Sequence, residues 1–97
     1  MKSFLRHEVI MQLIHTRFAG GVDVLNRDFV TAYARATGAK VTLMDYGADS
    51  CPQLGADLSA MYTAGRLTRK RVGVPRNAGP GLPTWKYVYQ IKEGMLF

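Results

Sequence analysis

The sequence predicts an α+β domain of three helices followed by a β-hairpin. Three observations carry this. Apolar residues recur at helical spacing in three separate stretches before residue 65. The period becomes extended after Gly65, where basic RLTRKRV is followed at a distance by aromatic WKYVYQI. Between and around these stretches stand the punctuators Gly20-Gly21, Gly38, Pro52 and the loop GVPRNAGPGLPT.

The first helix is expected at about residues 3–18. Ser3 is its candidate cap, and Phe4, Leu5, Val9, Ile10, Leu13, Ile14 and Phe18 form its apolar stripe, ended by Gly20-Gly21. VDVL, residues 22–25, reads as a short extended piece. Asn26 then caps a second helix at about 27–37, with Leu25 stapled across the cap onto Val30. Phe29, Val30, Tyr33 and Ala34 are its buried side, and Gly38 its left-handed stop. Residues 39–51, AKVTLMDYGADSC, are open between a strand at VTLM with a turn at YGADS and a long loop. Pro52 suits the first turn of a third helix, about 52–64, with Ser50 or Cys51 as cap. Leu54, Leu58, Met61 and Tyr62 are its inward face. The hairpin strands fall at about 66–72 and 85–91.

The chain has 97 residues, the length of one domain (1–97), and 47% of them are hydrophobic. A core of that size buries roughly 60–65% of the unfolded surface and leaves little room for a deep pocket. No apolar run approaches the ~20 residues that span a bilayer, so no membrane partner is expected. MKSFLRHEVIMQLIH is interrupted by Arg6, His7, Glu8 and Gln12 and lacks a secretory signal's uniform apolar segment. A single Cys excludes a disulfide within the chain. The expected compartment is a reducing cytoplasm.

The net charge is +6, unevenly spread. Residues 1–63 hold six basic and six acidic residues. Residues 64–97 hold seven basic residues (Arg66, Arg69, Lys70, Arg71, Arg76, Lys86, Lys92) against Glu93 alone. Such asymmetry is the footprint of a surface that meets a polyanion, and equally that of a solvated basic strand.

Chemistry-bearing motifs are few. HEVIM at residues 7–11 begins like a zinc-binding His-Glu-x-x-His, but position 11 is Met, and His7 and His15 lack a third ligand. Cys51 at a helix start reads as structural rather than nucleophilic. No phosphate-binding Gly-rich motif and no spaced carboxylate pair occurs, so neither an enzyme nor a cofactor is expected.

From Asn26 to Ile91 the chain resembles a winged helix-turn-helix domain. The stretch that carries the resemblance is LGADLSAMYTAGRLTRKRVG…PTWKYVYQI: a helix with Leu-x-x-Met-Tyr, then Ala-Gly-Arg-Leu, a basic strand, a loop and an aromatic strand. The pattern is similar to that of many bacterial and phage regulators. The resemblance implies double-stranded DNA as partner and a role in transcription regulation. The third helix would lie in the major groove and the hairpin would be the wing. Gln53 would read an adenine edge, and Ser59 and Thr63 would contact phosphate or bases. Arg66, Arg69, Lys70, Arg71 and Arg76 would clamp phosphates, with Arg76 entering a minor groove from the wing tip. Alternation sets Arg69 and Arg71 on one strand face and Lys70 on the other. Trp85, Tyr87 and Tyr89 are expected to cover the core.

Such regulators often act as dimers, and here the first helix or the apolar tail Met95-Leu96-Phe97 offers a dimer surface. The rival reading is a protein-interaction module whose third helix presents Ala56, Ser59 and Ala60 to a protein partner. A weaker one is RNA or single-strand binding by the aromatic hairpin.

Overall fold

The computed structural model describes residues 1–42, 50–75 and 82–94. Its architecture is α+β: helices α1 (Ser3–Thr16), α2 (Arg27–Thr37) and α3 (Pro52–Thr63), then strands β1 (Leu67–Gly73) and β2 (Trp85–Ile91) paired antiparallel.

α1 differs from its expected form at both ends. Its cap is Lys2, without a side-chain bond, because the Arg6 N–H already donates to Lys2 O at 3.1 Å and draws Ser3 inside the helix. The helix stops at Thr16, whose hydroxyl donates back to Gln12 O at 2.8 Å. The N–H groups of Arg17 and Phe18 both turn to Leu13 O. Ile10, Met11 and Ile14 are buried, whereas Phe4 and Leu5 are exposed. The apolar stripe is therefore used only in its second half. The first half is anchored by polar contacts described below.

The ends of α2 are as expected. Asn26 Oδ1 accepts from the Phe29 N–H at 3.2 Å, and Gly38 takes φ 74°, a left-handed value that a Cβ disfavours. Phe29, Val30 and Tyr33 are buried, and Phe18 meets Phe29 edge-on at 5.5 Å. In the 39–51 connection, Thr42 and Ser50 exchange backbone hydrogen bonds at 2.8 Å and close the segment at its base. The rest of the expected VTLM strand and YGADS turn lies outside the described residues, as does the tail Met95-Leu96-Phe97.

α3 opens on Pro52 with buried Cys51 before it. Leu54, Leu58 and Met61 point into the core as expected. Tyr62 does not: it is 39% exposed, one position round from Met61, and turns to the sheet instead.

The hairpin register runs from Leu67 opposite Ile91 to Gly73 opposite Trp85. β1 thus begins one residue later than expected and leaves Arg66 outside the strand. Val22 of the VDVL piece exchanges two hydrogen bonds with Tyr89, 2.9 and 2.8 Å, on the other edge of β2. Gly21 makes that approach feasible. A Cβ there would stand 2.7 Å from Val88 Cγ1, and φ is 114°. The core lies where the three helices meet the inner end of the hairpin, with Leu67 and Tyr89 as the sheet's contribution.

Candidate nucleic-acid interface

Paired residues of an antiparallel ladder project to the same side of the sheet. One side of the hairpin therefore carries Leu67, Arg69 and Arg71 from β1 with Ile91, Tyr89, Tyr87 and Trp85 from β2. Its inner end is apolar and buried through Leu67 and Tyr89. Exposure rises toward its outer end, where Trp85 is 37% exposed.

There the arginines lie on the rings. The Arg69 guanidinium carbon is 4.0 Å from the centre of the Tyr62 ring and 4.1 Å from that of Tyr87, so the group is held between α3 and β2. The Arg71 guanidinium is 4.2 Å from the Trp85 ring centre. Trp85 meets Tyr87 edge-on at 4.9 Å, and Tyr87 meets Tyr89 at 6.3 Å. Each cation–ring contact is worth about 0.5–1 kcal/mol near the surface. Stacking occupies the flat faces of a guanidinium but leaves its in-plane N–H edge open to donate, which a Lys ammonium cannot reproduce.

The expectation that Trp85, Tyr87 and Tyr89 cover the core holds for Tyr89 and for Tyr87, which packs against the core cluster, but not for Trp85. Trp85 is 37% exposed and Tyr87 is half-buried. The Tyr87 and Trp85 rings also carry the arginines.

The other candidate residues are distributed unevenly. Lys70 is exposed on the opposite sheet face. Arg66 reaches back to α1, where its Nη2 donates to Glu8 Oε1 at 2.7 Å and its charge is matched. Ser59 and Thr63 are exposed on α3 beside Ala56 and Ala60. Gln53 is not on that outer face: its amide donates to the Tyr33 hydroxyl at 3.0 Å, half-buried. Arg76 lies outside the described residues. Among the described residues no carboxylate pairs with Arg69, Lys70 or Arg71. Nor do three or more His, Cys, Asp or Glu gather to hold a metal, and no helix is long and apolar enough to cross a membrane.

Behind this surface, α3 is fixed by a buried carboxylate. Asp57 accepts from Arg6 Nε at 2.8 Å and Nη2 at 3.0 Å, and from the Tyr33 hydroxyl at 2.6 Å. His7 Nε2 lies 3.3 Å away. Burial alone would raise the Asp57 carboxyl, but the hydrogen bonds from Arg6 and Tyr33 outweigh it and hold the carboxyl below its ordinary value. The Tyr33 hydroxyl is pushed up to about 12 by burial and by donating to that carboxylate. All three helices meet at this one side chain. Both of its oxygens accept hydrogen bonds, and the side chain positions α3.

Sequence reasoning missed Tyr62 as a support for Arg69, and it missed Asp57 altogether. The second signal was present: Asp57 interrupts the stripe Leu54, Leu58, Met61 on the inward face of its helix. Compared with known proteins, the chain matches no family model, no curated protein and no solved structure.

Proposed function

We propose that the protein binds duplex DNA in the manner of a winged helix and acts as a transcription regulator, with α3 toward the major groove and the β1–β2 hairpin as the wing. The observation that carries the reading is the pair Arg69 and Arg71, lying over the rings of Tyr62, Tyr87 and Trp85 with no carboxylate against them among the described residues. Two guanidinium edges held in fixed positions suit successive phosphate groups, since part of the ordering entropy is met before binding. α3 adds only the hydroxyls of Ser59 and Thr63 to its exposed face. Affinity would then come mainly from phosphate contacts and base discrimination would be modest.

The test is fluorescence anisotropy with a labelled random-sequence duplex. If Arg69, Arg71 and Lys70 neutralise two to three phosphates, affinity drops roughly ten- to fortyfold between about 50 and 200 mM salt. Arg69→Ala/Arg71→Ala removes most of the binding. Absence of duplex binding at low salt refutes the proposal.

A second reading rests on the absence of any cation from the exposed Ala56, Ser59, Ala60 and Thr63 of α3. A flat face of small residues also suits a helix of another protein. Added bulk, as in Ala60→Trp, would abolish that docking and leave the wing's phosphate contacts in place.

A further inference from the structure

A channel runs along the surface where α1 meets α2. Its first half is apolar: Met1, just before α1, and Leu5, Val9 and Leu13 of α1 face Ala36 of α2 around about 480 Å³ of open space. Its second half is basic: Arg17, just past α1, faces Arg27 and Arg35 of α2 around about 590 Å³. Leu13 and Ala36 line both halves, so the two spaces adjoin. Met1 is 60% and Leu5 45% exposed, which leaves the apolar half open to water. Arg27, Thr31 and Arg35 stand four residues apart and share one side of α2.

Two arginines of the basic half, Arg17 and Arg35, have no paired carboxylate among the described residues, and Arg17 rests over the Phe18 ring at 5.3 Å. Glu8, Asp23 and Asp57 are engaged elsewhere, by Arg66, Lys86 and Arg6. Asp28 is the acid that lines this half.

We infer that this channel is a docking site for a helical segment of a partner protein, apolar along most of its length and acidic at the end that meets Arg17 and Arg35. The charge and the apolar surface require both features together. A nucleic acid would fill the basic half and leave Met1, Leu5 and Val9 wet. A second copy of this chain would bring its own arginines to the contact, with only Asp28 and the already paired Glu8 to offset them. α1 has 14 residues and is about 21 Å long, a length that a docked helix of about four turns would match. The site is built from elements other than the wing, and it stands whether or not the wing binds DNA.

The test is selection of displayed random peptides on the full chain, followed by anisotropy of the enriched peptides as labelled synthetic probes. Enriched peptides should carry apolar residues at i, i+4 spacing followed by Asp or Glu. Arg17→Glu/Arg35→Glu should weaken their binding about tenfold or more, and Arg17→Gln/Arg35→Gln in the same direction. Lys-for-Glu versions of the peptides should recover binding to the Glu variant. Leu5→Glu should weaken binding similarly, and Arg69→Ala/Arg71→Ala should leave it unchanged. Enriched peptides without acidic residues, or insensitive to these substitutions, would overturn the inference. So would a dimer in sedimentation that Leu5→Glu dissolves, or duplex binding lost in Arg17→Glu/Arg35→Glu.

Discussion

Asp57→Asn exchanges one oxygen for an amide and leaves the side chain's volume nearly unchanged. In the wild type the carboxylate accepts from Arg6 twice and from Tyr33 once, with His7 alongside. The amide keeps one acceptor oxygen and turns two N–H donors toward groups that are themselves donors, so about two of these bonds are lost. A hydrogen bond to a charged group contributes about 1.5–3 kcal/mol, which puts the loss at about 3–6 kcal/mol. Two features place it at the lower end. The Arg6 side chain is 19% exposed and can turn to water, and the Tyr33 hydroxyl keeps its bond from Gln53. The expected cost is therefore about 3 kcal/mol, out of a total of about 5–15 for a domain of this size. That corresponds to a fall in Tm of roughly 12–24 °C. Urea unfolding followed by far-UV circular dichroism measures it, with an unchanged m value as the sign that the unfolded states are comparable. The pH dependence adds a second check. Because the folded carboxyl titrates below its ordinary value, its stabilisation is full above the unfolded pKa of about 3.9 and is lost as pH falls through the folded value. The gap between wild type and variant should close in strong acid. A loss below about 1 kcal/mol at neutral pH, or a gap that persists in acid, would refute the assignment of Asp57 as the charged link between the helices.

At the alkaline end the sign is reversed for Tyr33. Its folded pKa is raised to about 12, so its stabilisation is full below about 10 and is lost as pH rises from there toward 12. Urea midpoints measured across that range should fall for the wild type and more shallowly for Tyr33→Phe. Gly21→Ala forces a Cβ to within 2.7 Å of Val88 at a φ of 114°. It should cost about 1–3 kcal/mol, read as a lower thermal midpoint. Arg69→Lys keeps the charge and loses the fit between Tyr62 and Tyr87. Duplex affinity should fall while the salt slope stays, whereas Arg69→Ala should also reduce that slope by about 1.

What was legible in the sequence was local. Asn26 and Gly38 mark the ends of α2 because capping is decided within a few residues, and Gly65 marks where helix gives way to strand for the same reason. What depended on neighbours was not legible. The stripe of α1 showed which residues could be buried, but among the described residues no element covers Phe4 and Leu5. Gln53 reads as an outward residue on a helical wheel, and only the position of Tyr33 explains why its amide turns inward. The pairing of Arg69 and Arg71 with the rings depends on the hairpin register. Residues 74–84, which separate the strands, are too many for turn type to fix that register.

Charge is where folding changes the reading most. Along the sequence the surplus belongs wholly to residues 64–97. In the fold, Glu8 neutralises Arg66 and Asp23 neutralises Lys86, and both pairs join an acid of the first two-thirds to a base of the last third. Part of the hairpin's surplus is thereby cancelled, and Arg17 and Arg35 are left as excess charge on the α1–α2 side. The molecule therefore carries two cationic surfaces of different make-up. One is arginine on aromatic rings, suited to a ligand that is charged along its whole length. The other is arginine beside an open apolar trough, suited to a ligand charged at one end. Salt distinguishes them. Binding at the first rests on counterion release and should weaken steeply with ionic strength. Binding at the second draws much of its free energy from apolar burial, which screening leaves untouched, so it should weaken less.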